Sequence, residues 1–184
     1  MTSSLAVPDA YEFAPRGGSP FHQDSFTAAR GHPLTVARVD HEVSRPGTVR
    51  GIHFTTPPGR ARYVYCVRGA VLAIVVDLRV GSPAFGRWDA VRLDAVTRRA
   101  VYLAEGLGRA FVALADDTAT THLCTESDAA EHGVDPLDPA LALPWPAARP
   151  STRELPTLAQ AAAADLLPHY TDCLRRYRLS GVPA

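Results

Sequence analysis

An antiparallel all-β sandwich or barrel is the fold class this sequence predicts, and three observations predict it. From Thr48 to Thr125 the chain is dense in Val, Ala, Tyr and Leu, with turn signals at short intervals. The stretch ahead of it is rich in Gly, Pro and Ser, with short apolar islands. Segments of helical composition come late, from Leu158 onward.

Taken in order, residues 1–46 read as an extended N-terminal arm with one or two edge strands, and residues 47–126 as the barrel core. Within the core, Arg62 to Val67 and Ala70 to Leu78 read as strands meeting at Arg68-Gly69, a hairpin turn. Val76 to Arg79 leads into a loop at Gly81-Ser82-Pro83. Trp88 to Asp94, Ala100 to Leu103, Ala110 to Leu114 and Thr120 to Thr125 supply further strands. Gly106 and Gly108 flank Leu107 and predict a tight turn or bulge. Residues 127–184 read as an irregular arm followed by helices. Asp135 to Pro146 is too proline-rich for regular structure, Leu158 to Leu167 is Ala- and Leu-rich and ends at Pro168, and Asp172 to Arg178 reads as a second short helix.

Composition narrows the function. A chain of 184 residues fits one domain, residues 1–184, and 46% hydrophobic residues exclude a disordered chain. A formal net charge of +0 argues against a nucleic-acid surface built on bulk charge. There is no lysine, which excludes Schiff-base and lysine acid–base chemistry. The three cysteines, Cys66, Cys124 and Cys173, form no CxxC pair, so a reducing cytoplasm is the expected compartment. No apolar run has the length of a membrane span, and MTSSLAVPDAYEF lacks the pattern of a signal peptide.

The octapeptide Gly47 to Phe54, GTVRGIHF, carries the chemistry. Arg50 and His53 lie three apart, which strict alternation would place on opposite faces of a strand. A bend at Gly51 would bring them to one face. His53 facing a cavity is a candidate general base, and Arg50 a cation suited to phosphate or carboxylate. On these residues alone, a paired surface arginine and a core histidine bonded to backbone stand as the alternative. No HxH pair exists, and His41, His53 and His122 are isolated, so no metal and no other cofactor is expected.

Read with VDLRVGSPAFGRW, YLAEGLGRAFVAL and LALPWP further along, VRGIHF resembles the dTDP-4-dehydrorhamnose 3,5-epimerase family, cupin-fold enzymes of deoxysugar biosynthesis. The resemblance runs from about Phe21 to the C-terminal helix. It implies a cupin-type antiparallel β-barrel or jelly roll, a metal-independent isomerase and a homodimer whose N-terminal arm completes the partner's site. It places the base at His53 and the donor to the enolate oxygen at Arg62, where the family has lysine. His122 stands where the family has the acidic tyrosine of a YKxT-like segment, as acid or as cavity filler. Arg109 replaces the histidine of an EGFAHGF-like loop. The family's LSxKD-like aspartate has no counterpart in Leu158 to Ala162, and Asp165 is the nearest acid. On the nucleotide side, Arg38 to Glu42 replaces a QxNxS-like segment, with Asp40 adding negative charge that Arg38 offsets. Ser127 replaces an aromatic, and Phe21 and Asp24 belong to a run resembling FFxESY. The expected ligand is a small molecule, with neither nucleic acid nor membrane as partner. Two functions follow. One is enolisation of a 4-keto-6-deoxy sugar nucleotide with epimerisation at C3, C5 or both, for an antibiotic or other secondary metabolite. The alternative is an epimerase-like barrel repurposed to bind, cyclise or isomerise a different natural-product intermediate. A non-catalytic partner subunit is the third reading.

Overall fold

The computed structural model describes residues 2–126, 128–146 and 154–179. Ser127 lies outside the described residues. The elements run β1 (Thr2–Ser4), β2 (Ala10–Phe13), α1 (Gln23–Arg30), β3 (Arg38–Ser44), β4 (Val49–Thr55), β5 (Arg62–Arg68), β6 (Ala70–Asp77), β7 (Trp88–Asp94), β8 (Ala100–Leu103), β9 (Leu107–Ala113), β10 (Thr118–Cys124), β11 (Glu131–Gly133), α2 (Leu158–Ala163) and α3 (Tyr170–Leu179). They form two antiparallel sheets, ordered β1-β2-β8-β5-β10-β3 and β11-β4-β9-β6-β7. The fold is the mainly β, cupin-type architecture that the sequence predicts.

Alternation along the strands assigns the faces. On β6, Val71, Ala73 and Val75 join one core cluster, while Ile74 and Val76 join another. The first cluster fills the space between the sheets with these residues and continues on the outer face of the six-stranded sheet with Phe13, Phe26, Tyr63 and Tyr102. The second lies on the outer face of the five-stranded sheet, under Leu141, Ala161 and Leu167 from the C-terminal segment. On β9, Leu107 and Phe111 face the inter-sheet core, so Arg109 between them points inward too. On β4, Ile52 and Phe54 face outward, which turns His53 inward.

Four expectations need correction. The first forty residues are not extended throughout, because they contain α1. An eight-residue helix is marginal alone, and this one is held by Phe26, fully buried against Phe13, Tyr63 and Tyr102. Gly31 closes it in the left-handed conformation. Arg68-Gly69 is not a hairpin. The chain crosses there from one sheet to the other, since β5 pairs with β8 and β10 while β6 pairs with β7 and β9. Gly69 has φ +71°, and a Cβ there would stand 2.5 Å from the Thr118 hydroxyl, so the close crossing requires glycine. The helix expected over Leu158 to Leu167 stops at Ala163. Asp165 turns left-handed at φ +54°, which swings Leu167 into the outer core. Finally, β11 falls in a region expected to be irregular.

A buried ion cluster sits where β6 ends at Asp77. Arg79, with no exposed surface, donates to both oxygens of Asp77 and to Asp9, and lies over the Tyr170 ring. It ties the N-terminal loop, β6 and α3 together. No helix among the described residues is long and apolar enough to cross a membrane.

Candidate active site

The register of β4 against β9 creates the site. Arg50 pairs with Phe111 and His53 with Arg109, so three steps on β4 match two on β9. That bulge falls at Gly51 and puts Arg50 and His53 on one face, as the motif predicts. Gly51 has φ +105°, and a Cβ there would lie 2.4 Å from the Arg109 carbonyl oxygen.

β11 adds the decisive group. Glu131 pairs with Thr55 and Gly133 with His53, so Glu131 shares the inward face of His53. His132 points the other way and stacks on Phe54, with ring centroids 5.6 Å apart. Glu131 Oε2 is 3.9 Å from His53 Nδ1, an ion-pair distance. Glu131 Oε1 accepts from Arg62 Nη2 of β5 and lies 3.6 Å from Arg109 Nη2. Sequence reasoning missed this residue, because a three-residue strand carries no periodic signal. Asp165, the nearest acid by sequence, is 89% exposed and pairs with His169 at 3.4 Å instead.

The six-stranded sheet supplies the opposite wall. On β10, Thr120, His122 and Cys124 share a face with Glu42, Asp40 and Arg38 of β3, their register partners. His122 Nε2 bonds Thr120 Oγ1 at 3.0 Å and lies 3.9 Å from Glu42 Oε1. Glu42 Oε1 in turn is 3.4 Å from Arg109 Nη2. The structure therefore gathers His53, Arg62, Arg109 and His122 around Glu131 and Glu42. Burial is graded. The Glu131 and His53 side chains are 34% and 22% exposed, whereas Arg62 is 5% and His122 only 1%.

Arg50 reaches across to β3, donating to Ser44 Oγ at 2.9 Å and to the Val43 carbonyl at 3.3 Å. Arg38 is paired with Asp40. Phe21 and Asp24 are not gathered here. Phe21 packs edge-on to Tyr63 at 5.0 Å on the outer face of the six-stranded sheet, and Asp24 sits in the first turn of α1. No three His, Cys, Asp or Glu side chains among the described residues form a metal ligand set.

Electrostatics follow from burial. Burial lowers the proton affinity of His53 below its ordinary value, with Glu131 and Glu42 resisting and Arg109 and Arg62 reinforcing the shift. The ring is therefore neutral at neutral pH, as a base must be. Burial, then Arg109 and Arg62, push His122 much further down. Burial and then Arg109 bring Arg62 to about 10, still a cation at neutral pH. Burial alone would raise Glu131, but Arg109 and Arg62 hold it below the usual carboxylate range.

A family model for dTDP-4-dehydrorhamnose 3,5-epimerase matches residues 16–162. The chain belongs to the dTDP-4-dehydrorhamnose 3,5-epimerase family. It is 52% identical over 160 residues to a dTDP-4-dehydrorhamnose 3-epimerase of Streptomyces niveus, covering 83% of this chain and 77% of the relative. NovW, a 4-keto-6-deoxy sugar epimerase from the novobiocin cluster of Streptomyces spheroides, superposes with a TM-score of 0.89 at 44% identity, covering 94% of each chain. ChmJ, a 3'-monoepimerase of Streptomyces bikiniensis solved with dTDP-quinovose, gives 0.89 at 43%, covering 95% of this chain and 96% of its own. The neutral, buried ring of His122 has a consequence for stability. The unfolded imidazole titrates near 6.5 and the folded one lower, so the unfolded state binds more protons below that pH. Stability is complete above about pH 6.5 and falls as the pH drops below it, by up to about 1.4 kcal/mol per pH unit for each such histidine. Urea unfolding at pH 7.5 and 5.5 will show this loss, and His122→Gln will reduce it. Equal losses in both proteins would contradict the assignment.

Proposed function

We propose that this protein epimerises a dTDP-linked 4-keto-6-deoxy sugar by enolisation. The observation that carries the reading is His53, neutral, with the Glu131 carboxylate on its Nδ1 side, Arg109 beside it on β9 and Arg62 across from the opposite sheet. Its Nδ1 is turned toward the carboxylate, which leaves Nε2 to take the proton from carbon beside the ketone. The C–H electron pair moves into the ring and the carbonyl becomes an enolate. Arg62 and Arg109 stabilise that oxygen without giving it a proton. The proton returns to carbon on the opposite face from a water on the His122 wall, the neutral ring only relaying it, and the hydroxide left behind is neutralised from solvent. The ketone reforms with the centre inverted, and His53 releases its proton to solvent.

Arg50 suits a diphosphate, whereas Arg38 lies at the other end of β3 from Ser44, the residue Arg50 reaches, and is held by Asp40. Phe21 and Asp24 serve the nucleotide of a partner subunit, since on their own chain they lie outside the barrel wall. Sedimentation at micromolar concentration will therefore return a dimer mass, and a monomer mass would remove the arm from the site.

A second reading rests on His122. With the phenol gone and the ring neutral, the barrel would instead isomerise or bind another natural-product intermediate. Incubating dTDP-4-keto-6-deoxyglucose in D₂O separates the two. The protein will place deuterium at the carbons flanking the ketone, and His53→Gln will slow this by about 10²–10⁴-fold. No uptake at high enzyme concentration would sink the epimerase reading in favour of the second.

A further inference from the structure

Glu42 has no role in the reaction described so far, yet its carboxylate lies inside the cavity. It comes from β3, at the edge of the six-stranded sheet, and meets Arg109 of β9 in the five-stranded sheet. Arg109 Nη2 stands between two carboxylates, 3.4 Å from Glu42 Oε1 and 3.6 Å from Glu131 Oε1. Glu131 Oε1 also accepts from Arg62, so Oε2 is the oxygen left facing His53 Nδ1 at 3.9 Å. We propose that Glu42 is a positioning residue that draws Arg109 across the cavity and so keeps Glu131 Oε2 for His53.

A guanidinium released from Glu42 has one carboxylate left within reach. Arginine prefers to grip a carboxylate through both oxygens in a fork. On Glu131 that fork would occupy Oε2 and take from His53 the group that orients it. Glu42 prevents this by competition, at no cost in net charge, because two carboxylates then balance two buried guanidiniums. The charges facing His53 are Glu131 from β11, Arg109 from β9, Glu42 from β3 and Arg62 from β5. Removing Glu42 lowers the proton affinity of His53 twice, once by deleting a negative charge and once by bringing Arg109 onto Glu131.

The consequence for catalysis rests on His53 being the base, but the positioning itself is measurable without turnover. His53 is titrated by NMR in wild type, Glu42→Gln, Arg109→Gln and the double variant, with its resonance assigned by His53→Gln. Glu42→Gln will titrate at lower pH than wild type. The same substitution in the Arg109→Gln background will shift the ring by less than half as much, because no guanidinium is left to move. Glu42→Asp, which keeps the charge and shortens its reach, will shift in the same direction as Glu42→Gln. An unchanged titration in Glu42→Gln, or an equal shift with and without Arg109, would overturn the proposal. In the deuterium-exchange assay Glu42→Gln will be slower by roughly 10-fold or more, the scale of a misplaced base. Absence of exchange by wild type would remove the enolisation reading and leave the titration result to decide the positioning role.

Discussion

The carboxylate of Glu131 is the interaction on which the rest of the site depends. Two guanidiniums, Arg62 and Arg109, point into the space between the sheets, where an unpaired charge is costly. Glu131 meets both and still faces His53. It can do so because β11 pairs with β4 in a register that places it beside His53 and on the same face. The bulge at Gly51 and the three-residue strand β11 are thus parts of one device. One turns the histidine inward and the other brings its carboxylate.

Departures from the family's motifs acquire a common sense in this geometry. Where the resemblance sets a lysine and a histidine, Arg62 and Arg109 place guanidiniums beside Glu131, groups that do not give up a proton near neutral pH. His122 for tyrosine replaces a phenol by a ring that burial and two arginines hold neutral. Where the resemblance implies a helix aspartate, the acid beside His53 comes from strand β11. What the structure holds between the sheets is a neutral His53 and a neutral His122 beside the Arg62 cation and the Glu131 carboxylate.

Much of the architecture was legible because it depends on local composition. The boundaries of β7 follow from alternating polar and apolar residues, and those of β8 from a short apolar run. The resemblance to the family singled out His53, Arg62 and His122, three side chains that the fold turns toward the space between the sheets. Other features depend on contacts distant in sequence. Nothing around Arg68-Gly69 says whether a turn returns to its own sheet or crosses to the next. Helix α1 is weak in propensity and exists through Phe26. Glu131 lies 78 positions from His53, reckoned as 131 − 53, and its strand is too short to alternate, so only the pairing of β11 with β4 exposes its role. The pairing of Glu42 with Arg109 was hidden for the same reason.

The most direct measurement is the rate of deuterium exchange into dTDP-4-keto-6-deoxyglucose by Glu131→Gln, alongside its thermal unfolding. The substitution keeps shape and removes the negative charge that faces His53 and the two arginines. The predicted result is a folded protein whose exchange is slower by about 10²-fold or more, the usual scale for losing an orienting carboxylate. Exchange at the wild-type rate by a folded Glu131→Gln protein would contradict the account, since His53 would then work without the group placed at its side.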